Sequence, residues 1–443
     1  MIPLLSAAAM READARATAA RGTGALVRAA GTAVGHEARR MLGRCYGARV
    51  AVVVGPGLNG GDGRVAGAWL RARGARVDVI EVRDAPTSLV GYDLVIDAAF
   101  GLGCSRPYTA PSLSPATRVL AVDLPSGVDA DTGALLGSPP RADVTLALGA
   151  VKFAHVTGPA AHLVGELRYA SLGIVGPHDD LVTDGVMDDA DLVDVVRTAP
   201  DDHKWRHALQ VYAGSAMMPG AGALVVLGAL AGGASMVRVA ARDAAAGDVA
   251  REAVRVDAGP VDPRCRAVVA GPGVGAGAAS WLGPWLEAAP APVVLDADAL
   301  DGDLVARARV AAHPWILTPH DGEYARLHGT PAGDDRVSAA RALARTSGCV
   351  VLLKGPTTVV ADPGGRVRVA RAGTAALATA GSGDVLSGLI GASLARGHDP
   401  LSAAALSAHL HGRAGARLAL YAGASRLGPA ITAVLEEAVA SRR

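Results

Sequence analysis

The sequence predicts an α/β protein built from more than one domain. Three features carry this. Short β-branched runs, such as the one at 49–54, alternate with longer Ala-rich helical stretches. Glycine turns follow several of these runs and open helices directly. The chain has 443 residues, enough for two or three domains with a core each.

Taken in order, residues 10–43 read as helix, broken near Gly22 and Gly24. Residues 49–54 form a strand suited to burial on both faces, 55–63 a glycine loop, and 64–73 a helix. Further strands are expected at 77–82, 93–98, 119–122 and 143–148. They lead into Asp97 and the turn at Gly101 and Gly103, into Asp123 and Ser126, and into Gly149 and Lys152. In an open parallel sheet such strand ends share one crevice, where ligands bind. Each Asp taken singly is a common turn former. The placement of Asn59, Asp97, Asp123, Ser126 and Lys152 just beyond strands is what points to a site. Asp62 has two readings, an acceptor for ribose hydroxyls or an N-cap of the following helix.

Residues 175–200 are acidic and turn-rich and read as a linker with its flanks. The second half repeats the α/β order, with strands at 209–212, 265–270, 292–295, 315–317 and 349–353. These end at Gly214, at Gly271 and Gly273, at Asp296 and Asp298, at Thr318-Pro319-His320, and at Lys354-Gly355-Pro356-Thr357-Thr358. The run 208–237 has no charge, but Pro219 and repeated glycines make it strand, loop and helix rather than a membrane span.

The stretch 373–397 is the most informative. A tight glycine turn at 380–384 meets an apolar run with helical spacing that stops at Gly397. Glycines let backbone approach a ligand, and the free N–H groups of a helix start favour anions. Asp384 is out of place beside an anion site. It fits either as a base taking a proton from a hydroxyl that meets a phosphoryl group, or as a helix cap.

Composition sets limits. A net charge of +1 without long basic runs gives no footing for nucleic-acid or anionic-membrane partners. Cys45, Cys104, Cys265 and Cys349 are far apart and lack metal-ligand spacing, so buried thiols in a reducing compartment, the cytoplasm, are expected. The first residues lack the basic region of a signal peptide. Arg outnumbers Lys heavily. Lys152, Lys204 and Lys354 are the only lysines and Asn59 the only asparagine. Lys and Arg differ in shape and hydration, so a site can demand one of them.

Several segments carry a resemblance. GLNGGDG, DAAFGLG, VDLPSGVDADTG and ADVTLALGAVK, within residues 52–152, resemble the NAD(P)H-hydrate epimerase family, the YjeF N-terminal domain, whose fold is Rossmann-like. GPGVG, DADAL, LTPHDGE, LLKGPTT and AGSGD, in that order over about 203–440, resemble the ADP-dependent NAD(P)H-hydrate dehydratase family on a ribokinase-like fold. The implied division is an epimerase-like domain at 1–180, a linker at 181–202 and a dehydratase-like domain at 203–443. Together they imply a bifunctional enzyme that repairs hydrated NADH and NADPH.

The resemblance also implies roles. Leu58, Asn59, Gly60, Gly61 and Asp62, with Gly101, Leu102, Gly103, Cys104, Ser105, Arg106 and Pro107, would line the epimerase pocket. Asp123 would contact substrate and, with Lys152, serve catalysis; Asn59, Asp97 and Ser126 would hold a potassium ion. Lys354, Gly355, Pro356, Thr357, Thr358 and Gly383 would bind the adenine nucleotide. Ala223, Gly273, His320 and the catalytic Asp384 would contact the hydrated nicotinamide nucleotide. ADP is the expected co-substrate, with Mg²⁺ on its phosphates, and a homo-oligomer is expected. Leu58 stands where relatives carry a second asparagine, and ALVRAAG lacks the family's Glu-Asn pair. Two alternatives follow: an N-terminal binding module beside a dehydratase, or a ribokinase-like kinase for a small molecule.

Overall fold

The computed structural model describes residues 1–176, 178–195, 201–241 and 250–441, and the chain forms two compact units, Ile2–Gly185 and Val186–Arg443. No described helix is long and apolar enough to cross a membrane.

The first unit holds a wholly parallel six-stranded sheet. Its order is Glu166–Ala170, Val144–Leu148, Arg118–Val122, Leu94–Ala98, Arg49–Val54, Arg76–Glu81. Side chains alternate along each strand. Val50, Val52 and Val54 pack with Val34, Ala38, Ala66 and Leu70 of the helices Thr23–Leu42 and Leu58–Arg71. Ala51 and Val53 face the opposite way, against Leu89, Val95 and Tyr108. Burial on both faces explains the unbroken apolar runs.

Two expectations change here. The stretch 10–43 is two helices, Ala7–Arg21 and Thr23–Leu42, parted by Gly22 at φ +79°. The glycine loop is mostly helix, since Leu58–Arg71 starts inside it with Gly57 as N-cap. Asp62 therefore sits in the second turn and does not cap. Helix propensity argues against so many glycines, but packing overrides it: a Cβ on Gly60 would lie 2.0 Å from the Gly55 carbonyl oxygen.

The second unit carries the strand order Val367–Ala370, Thr358–Ala361, Val350–Leu353, Trp315–Leu317, Val293–Leu295, Ala267–Ala270, Ala208–Tyr212, Met236–Ala240, Val254–Arg255. Thr358–Ala361 runs antiparallel to its two neighbours, and the remaining neighbouring pairs are parallel. The uncharged run is the buried strand Ala208–Tyr212 and the helix Pro219–Ala231. That helix crosses Ser382–Ala395 at very close range. A Cβ on Gly228 would stand 2.0 Å from the Val385 carbonyl oxygen, and one on Gly388 2.0 Å from that of Val225. This crossing fixes the helix start that bears Asp384. Part of the expected linker belongs to this unit, with Leu192 and Val195 in its core. Residues 196–200 lie outside the described residues.

Candidate active sites

In the first unit the carboxyl ends of the strands open on a cavity of ≈780 Å³. Leu58, Asn59, Asp62, Gly101, Leu102, Gly103, Cys104, Ser105, Arg106, Asp123 and Lys152 line it, whereas Gly60, Gly61, Pro107, Asp97 and Ser126 are not in its wall. Asp123 follows Arg118–Val122 with φ +66°, a conformation that Asp tolerates better than most residues. Its Oδ1 accepts from the Leu148 N–H at 3.1 Å and from the Lys152 ammonium. Lys152, 1% exposed, spends its other N–H groups on the carbonyls of Leu148 (2.7 Å) and Ala150 (2.9 Å). His155 braces the pair. Its Nδ1 accepts the Lys152 N–H at 2.9 Å, so its Nε2–H donates to the Asp123 carbonyl at 2.6 Å.

Asp97 and Ser126 make a separate buried network. Ser126 gives Asp97 its hydroxyl at 2.6 Å and its N–H at 2.8 Å, and the hydroxyl oxygen accepts from Phe100 N–H at 2.8 Å. Burial pushes the Asp97 carboxyl up to about 6 despite these bonds. Asn59 packs over Gly101, and its buried Nδ2 has no partner among the described residues. Asn59, Asp97 and Ser126 supply only oxygen ligands, as a hard cation prefers. A cation there would offset the burial of Asp97. Among the described residues no group of three or more His, Cys, Asp or Glu is placed to hold a metal.

In the second unit Lys354 follows Val350–Leu353 and reaches Asp296 Oδ1 at 2.9 Å and Glu323 Oε2 at 3.6 Å. Burial works against the ammonium, but the two carboxylates outweigh it and raise its pKa. Thr318 donates to Asp296 Oδ1 at 2.8 Å. His320 is the N-cap of Asp321–His328, its Nδ1 accepting from Gly322 N–H at 3.0 Å, while Glu323 accepts the His320 N–H at 2.8 Å. The His320 side chain is exposed, with Nε2 3.5 Å from Glu323 Oε1. Glu323 thus links His320 to Lys354.

Asp384 is the third residue of Ser382–Ala395, whose N-cap is Gly381, and no side chain caps that helix. The capping role is therefore not realised. Burial, then Asp296 and Asp298, push its carboxyl up to about 7 against the pull of Lys354. A Cβ on Gly383 would sit 3.6 Å from Lys354 Nζ and 3.9 Å from Asp296 Oδ2, so the glycine turn lies on that ion pair. Gly273 packs on Met218 and Ala221, at the start of the helix that carries Ala223. Gly355 to Thr357 form the turn after Lys354, and Thr358 already opens the next strand.

Sequence reasoning gave no role to Asp14, Asp296, Asp298 or Glu323. The last three sit inside quoted motifs, so their signal was present. Asp14 lines the first cavity from the helix Ala7–Arg21, together with Met10 and Thr18. That four-residue spacing on one helix face was the only available clue.

Residues 209–436 match the family model NAD(P)H-hydrate dehydratase, and residues 23–90 and 81–154 match the YjeF-related protein N-terminus. The bifunctional NAD(P)H-hydrate repair enzyme Nnr of Mycobacterium tuberculosis (strain ATCC 25618 / H37Rv) is 38% identical over 427 residues, spanning 88% of either chain. This chain belongs to the bifunctional NAD(P)H-hydrate repair enzyme family. The family member from Mycobacterium leprae (strain TN) is 37% identical over 457 residues, 93% of either chain. Among solved structures, an ADP/ATP-dependent NAD(P)H-hydrate dehydratase from Bacillus subtilis, co-crystallized with ATP/Mg²⁺, is similar at TM-score 0.52 and 27% identity. The match covers 57% of this chain and 97% of that one. A ribokinase-like superfamily protein from Enterococcus faecalis V583 has TM-score 0.52 at 19% identity over 59% of this chain and 99% of its own, a likeness of fold alone.

Proposed function

We propose that the chain is a two-site repair enzyme for hydrated NADH and NADPH. The second unit restores the S hydrate to the reduced dinucleotide at the expense of ADP, giving AMP and phosphate. The first unit interconverts the R and S hydrates. The observation that carries the reading is Asp384: a carboxyl with raised pKa, uncommitted to capping, at a helix start beside Lys354.

The chemistry follows from leaving groups. Hydroxide leaves carbon 6 of the nicotinamide ring poorly and phosphate leaves well. Asp384 takes the proton of the carbon-6 hydroxyl as its oxygen attacks the terminal phosphorus of ADP, and AMP departs. The carbon–oxygen bond then breaks with its electron pair leaving on phosphate. Loss of a proton from carbon 5 restores the ring double bond. Lys354 supplies fixed positive charge for the phosphates, and the helix start supplies N–H donors. Magnesium needs only one or two carboxylates besides nucleotide phosphates, and Asp296 and Asp298 are the carboxylates in electrostatic reach of Asp384. Bound there it would neutralise phosphate charge. The same reading gives the Asn59, Asp97 and Ser126 oxygens a potassium ion to hold, as a fixed charge near the first cavity.

Chromatography of both hydrate epimers, incubated with and without ADP, tests this. With ADP both epimers should disappear as NADH, AMP and inorganic phosphate form; without it the epimers should only equilibrate. A stable phosphorylated product would instead mark a small-molecule kinase.

A further inference from the structure

Asp62 is 7% exposed and lines the first cavity, yet among the described residues its carboxyl has no hydrogen-bond or ion-pair partner. No described protein group takes up this carboxyl, and it is turned to the cavity, where a ligand can meet it. Opposite in chemistry is Asp123. Its Oδ1 is held by Lys152 and the Leu148 N–H, while Oδ2 takes no hydrogen bond from the described residues. One cavity thus contains an unpaired carboxyl and a carboxylate anchored by a buried ammonium.

On the epimerase reading given above, we propose that Asp62 is the proton donor, and Asp123 anchored by Lys152 the proton acceptor, when the carbon-6 hydroxyl changes faces. Two carboxyl groups driven apart by their surroundings are how one site holds both an acid and a base. Burial first, then the charges of Asp123 and Asp14, push the Asp62 carboxyl up to about 8, so it keeps its proton at neutral pH. Asp14 acts through Asp62, as a positioning charge. The remaining charged groups of the cavity wall, Arg11 and Arg106, are exposed, and Lys152 is committed to Asp123.

Asp62 gives its proton to the carbon-6 hydroxyl oxygen. The carbon–oxygen bond breaks, its pair leaving on water, and the ring-nitrogen lone pair forms a carbon–nitrogen double bond. Water adds to the opposite face of that iminium ion, the carbon–nitrogen pair returns to nitrogen, and the surplus proton passes to Asp123. One proton has moved from Asp62 to Asp123; the reverse epimerisation returns it, and in net conversion exchange with water in the cavity resets both carboxyls. The negative charge of Asp14, and of Asp62 once deprotonated, offsets the transient cation.

The test follows R-to-S conversion by chromatography in the full chain without ADP, over a pH series, with the spontaneous rate subtracted. Wild type should lose rate as pH rises through about 8, where Asp62 loses its proton. Asp62→Asn should lower the rate at neutral pH by ~10²–10⁴-fold with KM nearly unchanged. Asp14→Asn removes a negative neighbour, so its alkaline limb should move to lower pH. A purely structural role would change rates without moving that limb. Full activity in Asp62→Asn, a wild-type profile flat through pH 8, or an unmoved limb in Asp14→Asn would each overturn the proposal while leaving the epimerase reading standing. A wild-type protein with no epimerisation at any pH would overturn both.

Discussion

Asp384→Asn separates chemistry from architecture in the second unit. The change keeps the shape of the side chain and removes its affinity for a proton. The wild-type carboxyl, pushed up to about 7, exchanges its proton in the neutral range. The dehydration rate should therefore rise with pH through 7 and level off above it. Loss of a general base lowers turnover by ~10²–10⁴-fold, with ADP affinity nearly unchanged. Stability should move the other way. The unfolded chain releases this proton near 3.8 and the folded one near 7, so folding is penalised increasingly between those values and by a constant amount above them. The penalty is on the order of 4 kcal/mol at most, and solvent around the half-buried carboxyl reduces it. Asp384→Asn should then melt like wild type in acid and a few degrees higher above neutrality. Coupled assays of NADH recovery and melting curves at matched pH provide both readings. Full turnover in the variant, or a wild-type rate flat between pH 6 and pH 8, would refute the base assignment.

Lys354→Met strips the buried Asp296 and Glu323 of their partner, so the second unit should lose ~3–5 kcal/mol along with nucleotide affinity, read by melting and by calorimetric titration with ADP. Leu58, 60% exposed on the cavity wall, offers no hydrogen bond; Leu58→Asn should improve epimerisation by about 1 kcal/mol, roughly fivefold in KM, and an unchanged KM would remove that position from substrate contact. Asn59→Ala should slow epimerisation and weaken its dependence on potassium while S-hydrate dehydration, measured in the same preparation, is untouched.

The strands were the most legible part of the chain, because burial on both faces demands the apolar runs from which they were read. Their predicted ends fall within about two residues of the observed ones. Glu166–Ala170 escaped because an edge strand that is only half buried carries a diluted pattern; Met236–Ala240, Thr358–Ala361 and Val367–Ala370 escaped too, the first and last interrupted by Arg238 and Arg368. The start of Leu58–Arg71 escaped for a different reason. Local propensity reads its glycines as loop, and only the approach of the Gly55 carbonyl, invisible in sequence, requires them in a helix. The candidate sites were legible where a residue stood at a strand end inside a motif, as Asp123, Lys152 and Lys354 do, or at a helix start after a glycine turn, as Asp384 does. Asp14 was not, since an aspartate in a surface-type helix is ordinary until the fold turns that face to a cavity.

The cage around Lys152 bears on how this sequence drifts. Its three N–H groups point in tetrahedral directions at Asp123, Leu148 and Ala150, and each is taken. A guanidinium is planar and longer, and its fork cannot meet three acceptors arranged for an ammonium. Lys354 pairs with Asp296 at 2.9 Å and lies 3.6 Å from Glu323, partly open to solvent. In a chain whose composition leans so far towards arginine, a lysine in such a cage marks a place where both shape and charge are specified.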